Sequence, residues 1–225
     1  MSNSHNNRFR ILRQCELGLP FYSLSEEIAN AITHGLGVMF AVVSAILLIK
    51  ASPKDFYSLL CVCVYEGAIF ILYVVSTLYH ALGLCRAKKV FRILDHCSIF
   101  LSIAGTYTPV CFFKMGQLGR VLLIVIWSVA FIGIALNSID LKKYARFSMV
   151  CYVVMGWAVI FTIKPLVDSL TVYQLYLLVG GGIAYTLGIL FYVFGGKIRY
   201  FHSLWHVFVL LGSAVHFVMI YSFFN

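Results

Sequence analysis

The sequence predicts an all-α polytopic membrane protein with seven transmembrane helices, its N-terminus cytoplasmic and its C-terminus outside. Three observations carry this. Of 225 residues, 62% are hydrophobic and only 11% are charged, where a soluble domain carries roughly 25%. Seven apolar stretches each reach the length of about 20 residues that a spanning helix needs. Lysine and arginine concentrate in alternate gaps between those stretches, which sets an orientation. Eight acidic and seventeen basic side chains cannot coat a core of this size with polar surface, so the bilayer is its solvent. The expected location is the cell inner membrane, as a multi-pass protein.

Residues 1–27 are too polar and too long for the n-region of a cleaved signal. Residues 1–22 are read as a cytoplasmic segment ahead of a membrane domain at 23–225, with the first helix retained. The spans are expected at about 28–49, 58–82, 91–113, 118–137, 145–163, 172–194 and 202–224. Ser23 and Glu26 have the spacing of a capping box, and Glu26 and Glu27 sit where the helix dipole favours negative charge, so the first helix opens there. The third span carries Arg92, Asp95 and His96 near its start and Pro109 well inside it, where proline removes a backbone donor and bends a helix. The fifth is the shortest.

Orientation follows from the basic residues. One side collects Arg8, Arg10, Arg13, Arg86, Lys88, Lys89, Arg92, Lys142, Lys143, Arg146, Lys197 and Arg199; the other holds only Lys50, Lys54, Lys114, Arg120 and Lys164. The richer side is cytoplasmic by the positive-inside rule. These cations lie in short gaps, so the net charge of +9 fits anionic lipid headgroups and not nucleic acid. The seven cysteines lack paired spacing and read as small apolar residues.

Polar side chains inside a span are costly and therefore mark function. Helix two ends near Leu82, which places Ser76 and His80 within roughly 10 Å of the cytoplasmic boundary at about 1.5 Å per residue. Helices three and seven start on that side, so Asp95, His96, His202 and His206 share this level, as does His34 in helix one. His202 and His206 are one turn apart, the spacing by which a helix offers two nitrogens to one zinc. His80 completes a three-histidine set with an open fourth position, as in catalytic zinc sites. Asp95 then suits a general base for a zinc-activated water, and Ser76 a helper that orients Asp95 or donates to a developing oxyanion. The plainer alternative pairs Asp95 with Arg92 or Lys89 and leaves the histidines as a polar network. His34 and His96 read as supporting residues. Glu66 and His216 lie deeper, roughly 20 to 24 Å from that side, at a depth where they can pair.

Four ordered segments, Glu26–Gly37 (EEIANAITHGLG), Ser76–His80 (STLYH), Asp95–Pro109 (DHCSIFLSIAGTYTP) and His202–His216 (HSLWHVFVLLGSAVH), resemble those of the hemolysin III family. That family is related to the progesterone and adipoQ receptors and more distantly to alkaline ceramidases. The resemblance runs from about Ser23 to the C-terminus. It implies a seven-helix fold and zinc held by His80, His202 and His206, with Asp95 contacting the zinc-bound water and Ser76 beside it. The long cytosolic region of the hormone receptors has no counterpart here, so hormone binding is not carried over.

Three functions follow as expectations. The leading one is a zinc-dependent hydrolase of a lipid amide or ester, membrane lipid being its substrate. The second is a lipid-sensing receptor or regulator with structural zinc. The third, a cytolytic pore or transporter as the hemolysin name implies, requires a polar stripe along whole helices, which these spans lack.

Overall fold

A computed structural model describes residues 12–225, and every regular element among them is helical. A short helical segment at 12–17 leads into α1 (Leu24–Ala51), α2 (Phe56–Ala81), α3 (Arg86–Lys114) and α4 (Gly116–Trp157). A 3₁₀ turn, Ala158–Thr162, joins α4 to α5 (Ile163–Ser169), and α6 (Val172–Phe194) and α7 (Phe201–Tyr221) complete the chain. Arg8 and Arg10, counted above toward orientation, lie outside the described residues, as does half of the expected 1–22 segment.

Six helices are long and apolar enough to cross a membrane, the longest running from Gly116 to Ser169. At about 1.5 Å per residue that stretch would far exceed a hydrocarbon core of about 30 Å. It does not run straight. Asp140 is non-helical, at φ −154° and ψ 93°, and its carboxylate accepts from the backbone N–H of Lys143 at 2.9 Å, as an N-cap does. The two halves then lie side by side: Ser148 donates to Asn137 at 2.6 Å, and both Trp127 and Tyr107 are tied across the α3–α4 contact. The spans expected at 118–137 and 145–163 fall on either side of this break, so the longest of the six candidate spans is two helices joined at Asp140, close to the expected count of seven. A loop was expected between them; a single capped residue serves because the aspartate supplies the next helix's cap.

The capping box at the start of α1 is present, with the Glu26 N–H reaching Ser23 Oγ at 3.3 Å and the Ser23 N–H reaching Glu26 Oε2 at 2.9 Å. α1 packs on α2, α2 on α3, α3 on α4 and α6 on α7, and α7 packs back on α1. Apolar side chains such as Met39, Ile124 and Phe161 face outward, while Asn30, Ser76, His206 and Ser213 are fully buried. This is the inverse of a water-soluble protein and suits a lipid surround. In lipid, helices gain from close approach more than from apolar burial. Gly37 permits it: a Cβ there would meet the Tyr73 ring at 2.2 Å. α3 continues through Pro109. None of the seven cysteines is in a disulfide; Cys61, Cys97 and Cys111 are buried as small apolar residues, while Cys15 and Cys63 are exposed.

Candidate metal centre

The centre is assembled at one end of the bundle by α1, α2, α3 and α7. Tyr200, at φ 63° and ψ 1°, is the one non-glycine among the described residues with positive φ. Such a turn is uncommon and costs energy. It starts α7 abruptly, so that His202 and His206 occupy its first turns. Two contacts fix that start against α1: Arg199 donates to Ser25 Oγ at 2.9 Å, and the Tyr200 N–H reaches Glu26 Oε1 at 3.2 Å.

His80, His202 and His206 are all buried and offer ligand atoms within 4.8 Å of one another. For His80 and His206 the hydrogen bonds on their far sides decide which nitrogen each offers. His80 Nδ1–H donates to Glu27 Oε2 at 2.7 Å; its Nε2 is buried and has no partner. His206 Nδ1 lies 3.2 Å from the Asn30 carbonyl and 3.1 Å from Thr33 Oγ1. A carbonyl only accepts, so that nitrogen carries the proton and Nε2 carries a lone pair. The Nε2 atoms of His206 and His202 are 3.1 Å apart. Two imidazole nitrogens on one tetrahedral zinc stand about 3.3 Å apart, given bonds of about 2.0–2.1 Å. The Nε2 lone pairs of His80 and His206 meet in one buried cluster, an arrangement that a cation between them relieves. The donor set therefore fits a metal ion of imidazole preference.

The surrounding shell is also built. Glu27, between His80 and Lys88, accepts from Lys88 Nζ at 3.1 Å through its other oxygen. Lys88 in turn donates to the Tyr79 and Leu82 carbonyls at 2.7 and 3.1 Å, closing the end of α2. A carboxylate behind a ligating histidine fixes its tautomer and raises its basicity. Asn30 Oδ1 accepts from Ser203 Oγ at 2.6 Å, tying α1 to α7 beside the ligands.

The other members of the predicted layer divide. His34 stacks on His206 with ring centroids 3.5 Å apart and meets Tyr73 edge-on. Neither of its nitrogens has a partner. Asp95 is 9% exposed and Ser76 fully buried. Ser76 Oγ approaches the Asp95 carboxylate but makes no well-formed hydrogen bond. The pairing of Asp95 with Arg92 or Lys89 is not formed; Arg92 Nη1 instead donates to the Gly18 carbonyl at 2.8 Å. His96 is fully engaged, its Nδ1 donating to the Arg92 carbonyl and its Nε2 facing Tyr192 OH at 3.3 Å. Glu66 and His216 do not pair: Glu66 accepts from Ser44 at 2.8 Å, and His216 donates to the Leu178 carbonyl at 3.1 Å.

A cavity of about 130 Å³ begins at His34, Ser76, Asp95, His202 and His206 and continues past Tyr107 and Trp157 to His216. His80 stands behind its wall. Tyr22, ahead of α1, packs its ring 5.1 Å from His202 and 6.0 Å from His80, and Gln14 donates to its carbonyl at 3.0 Å. Burial pushes the Tyr22 phenol up, so it is a neutral cover over the histidines. The segment ahead of the first span is therefore part of the site.

Sequence reasoning missed Glu27, Asn30, Thr33, Lys88 and Tyr22 as parts of this centre. A signal for the first two was available: Glu27, Asn30 and His34 lie on the buried stripe of α1 that continues through Gly37, Ala41, Ser44 and Leu48, at helical spacing.

A family model described as Haemolysin-III related matches residues 22–217. The chain is 41% identical over 197 residues to Hemolysin-3 of Bacillus cereus, covering 86% of this chain and 90% of that protein. It is 39% identical over 199 residues to the Hemolysin-3 homolog of Bacillus subtilis (strain 168), covering 87% and 93%. It is 26% identical over 204 residues to the human Monocyte to macrophage differentiation factor, covering 88% and 84%.

Proposed function

The chain belongs to the haemolysin-III related family, and from that premise we propose that it is a zinc-dependent hydrolase of a lipid amide or ester in the cell inner membrane. The observation that carries this is the convergence of the His80, His202 and His206 nitrogens on one another, with His202 and His206 lining a cavity that Asp95 and Ser76 also line. His80, His202 and His206, two of them with partners on their far nitrogens, would hold the ion by three imidazoles, the donor number of catalytic and not of closed structural zinc. When bound, the ion supplies Lewis acidity and a lowered pKa for water.

The chain's own residues supply the rest. Asp95, on the cavity wall, takes the proton from the attacking water and passes it to the leaving amine or alcohol. Ser76, with no partner of its own, donates to the oxygen that gains charge or orients Asp95. The apolar remainder of the cavity takes the acyl chain and keeps bulk water out. The carbonyl of a membrane lipid lies at the depth expected for these residues, and the N-terminus is cytoplasmic on the basic-residue count. Anionic headgroups meet the basic gaps on that side.

The test is fatty-acid release from lipid amides and esters by purified, zinc-loaded protein. Asp95→Ala is expected to keep its zinc and lose at least 100-fold in rate; full activity in that variant overturns the assignment.

One observation favours a second reading. Tyr22 covers the histidines from the side of the N-terminal segment, which suits a regulator that holds zinc and a lipid without turnover. That reading expects stoichiometric zinc and saturable lipid binding with no product released.

A further inference from the structure

The cavity has a second polar end that hydrolysis leaves unused. His202, His206, Val209 and His216 all line it from one face of α7, spaced at near-whole turns of the helix. His216 is about 15 Å beyond His206 at about 1.5 Å per residue. It is 8% exposed. Its Nε2–H donates to the Leu178 carbonyl at 3.1 Å, which fixes the tautomer of the neutral ring and makes Nδ1 a bare acceptor. That Nδ1 is buried and has no partner.

The ring is also given its place. A Cβ at Gly181 would meet it at 2.3 Å, so α6 has a glycine where the imidazole lies. The other polar groups along this part of the cavity are already committed. Tyr107 OH donates to the Met155 carbonyl at 2.7 Å, Tyr185 OH meets Ser213 Oγ at 2.8 Å, and Thr186 Oγ1 donates to the Gly182 carbonyl at 2.7 Å. His216 Nδ1 is the one unpartnered acceptor at the far end among the described residues lining the cavity. A buried acceptor left without a donor carries a desolvation cost that a ligand donor removes.

We propose that the cavity selects a lipid whose chain carries a hydroxyl group, received by His216 Nδ1 about 15 Å from the histidine centre. An extended hydrocarbon chain covers that distance in about 12 carbons, each bond of about 1.5 Å advancing it by a little less. This rests on the lipid reading above and extends it from substrate class to chain chemistry. The plain, hydroxylated and methoxylated chains differ only at that carbon, so the hydrogen-bond donor is isolated from length and bulk.

The test is equilibrium binding of three stearoyl amides to the full chain in detergent, with no reliance on turnover. One has a plain chain, one a hydroxyl at about carbon 12, and one the methyl ether of that hydroxyl. The expected result is about tenfold tighter binding of the hydroxylated chain, with the ether, which cannot donate, no better than the plain chain. In His216→Leu the preference disappears while the plain chain still binds. Equal binding of the plain and hydroxylated chains to the wild type overturns the proposal and leaves the lipid reading standing. A preference that survives His216→Leu overturns the assignment to His216. Binding of none of the three overturns the lipid reading and this proposal together. If His216→Leu does not fold, the ether comparison in the wild type decides alone.

Discussion

The two halves of the bundle are both threaded with buried polar side chains, yet they are finished in opposite ways. In the half away from the three histidines, hydroxyls and amides meet across helices: Ser44 with Glu66, Tyr73 and Tyr185 with Ser213, Gln174 with Ser222. In the histidine half the bonds lie on the outer sides of the rings, at Glu27, Asn30 and Thr33, and the inner nitrogens face one another. The bonds of the first half end in the protein, with only His216 Nδ1 and Glu66 Oε1 left over among the described residues of that half; the histidine cluster is completed by something else. Buried polarity alone thus does not mark a site in a membrane bundle. What marks it is polarity whose partners are all on one side.

The largest effect that tests this contrast is metal content. Elemental mass spectrometry of purified protein is expected to find near one zinc per chain in the wild type and background levels in His80→Ala and His202→Ala. His96→Ala is the control. It removes a histidine of the same predicted depth whose two nitrogens are already engaged, and it is expected to keep its zinc. Loss of zinc in all three variants alike would reduce the site to a depth-wide histidine network.

That control also shows what was legible in the sequence. The apolar runs located the helices to within a few residues, because length and hydropathy answer directly to the bilayer. The triad was legible because His202 and His206 share a helix face and His80 has the matching depth. His96 looked equivalent by depth and differs only by facing, which one helix read alone does not reveal. Lys88 was counted among the gap cations, yet it is 1% exposed and bound to Glu27. An ion pair between α1 and α3 depends on how they pack, and no local pattern encodes that. The break near Asp140 was legible as the gap between 118–137 and 145–163, which carries Lys142 and Lys143; that one non-helical residue makes the turn was not.

The next effect is on stability. A ligand that binds only the folded state stabilises it by about 2.7 kcal/mol at 100 times its dissociation constant. Unfolding in detergent, followed with zinc at that excess and with chelator, is expected to differ by about this amount in the wild type and not at all in His80→Ala. A difference that persists in the variant places the stabilising metal elsewhere.

Glu27→Gln probes the supporting shell. Losing the carboxylate behind a ligating histidine typically weakens metal binding by about 10 to 100-fold, and the buried charge of Lys88 loses the ion pair it makes with Glu27. Competition against a zinc chelator should therefore show weakened affinity with near-stoichiometric zinc at saturation. Lys88→Met in the same background separates the two causes. If the charge imbalance dominates, the double variant recovers stability but not affinity; if the hydrogen bond to His80 dominates, affinity stays low whatever is done to Lys88.

The smallest effect comes from the opposite half. Tyr73→Phe deletes the hydroxyl that donates to Ser213 Oγ at 2.8 Å but keeps the ring that fills the space beside Gly37 and meets His34 edge-on. Ser213 retains Tyr185 as a partner at 2.8 Å, so no oxygen is orphaned. Hydrogen bonds between membrane helices average about 0.6 kcal/mol, roughly a threefold change in the folding equilibrium, and zinc affinity should not move. A loss of zinc in Tyr73→Phe would mean that the far half positions the histidines through the Tyr73–His34–His206 ring stack. The bundle would then be one coupled unit, and the contrast between its halves would be one of appearance only.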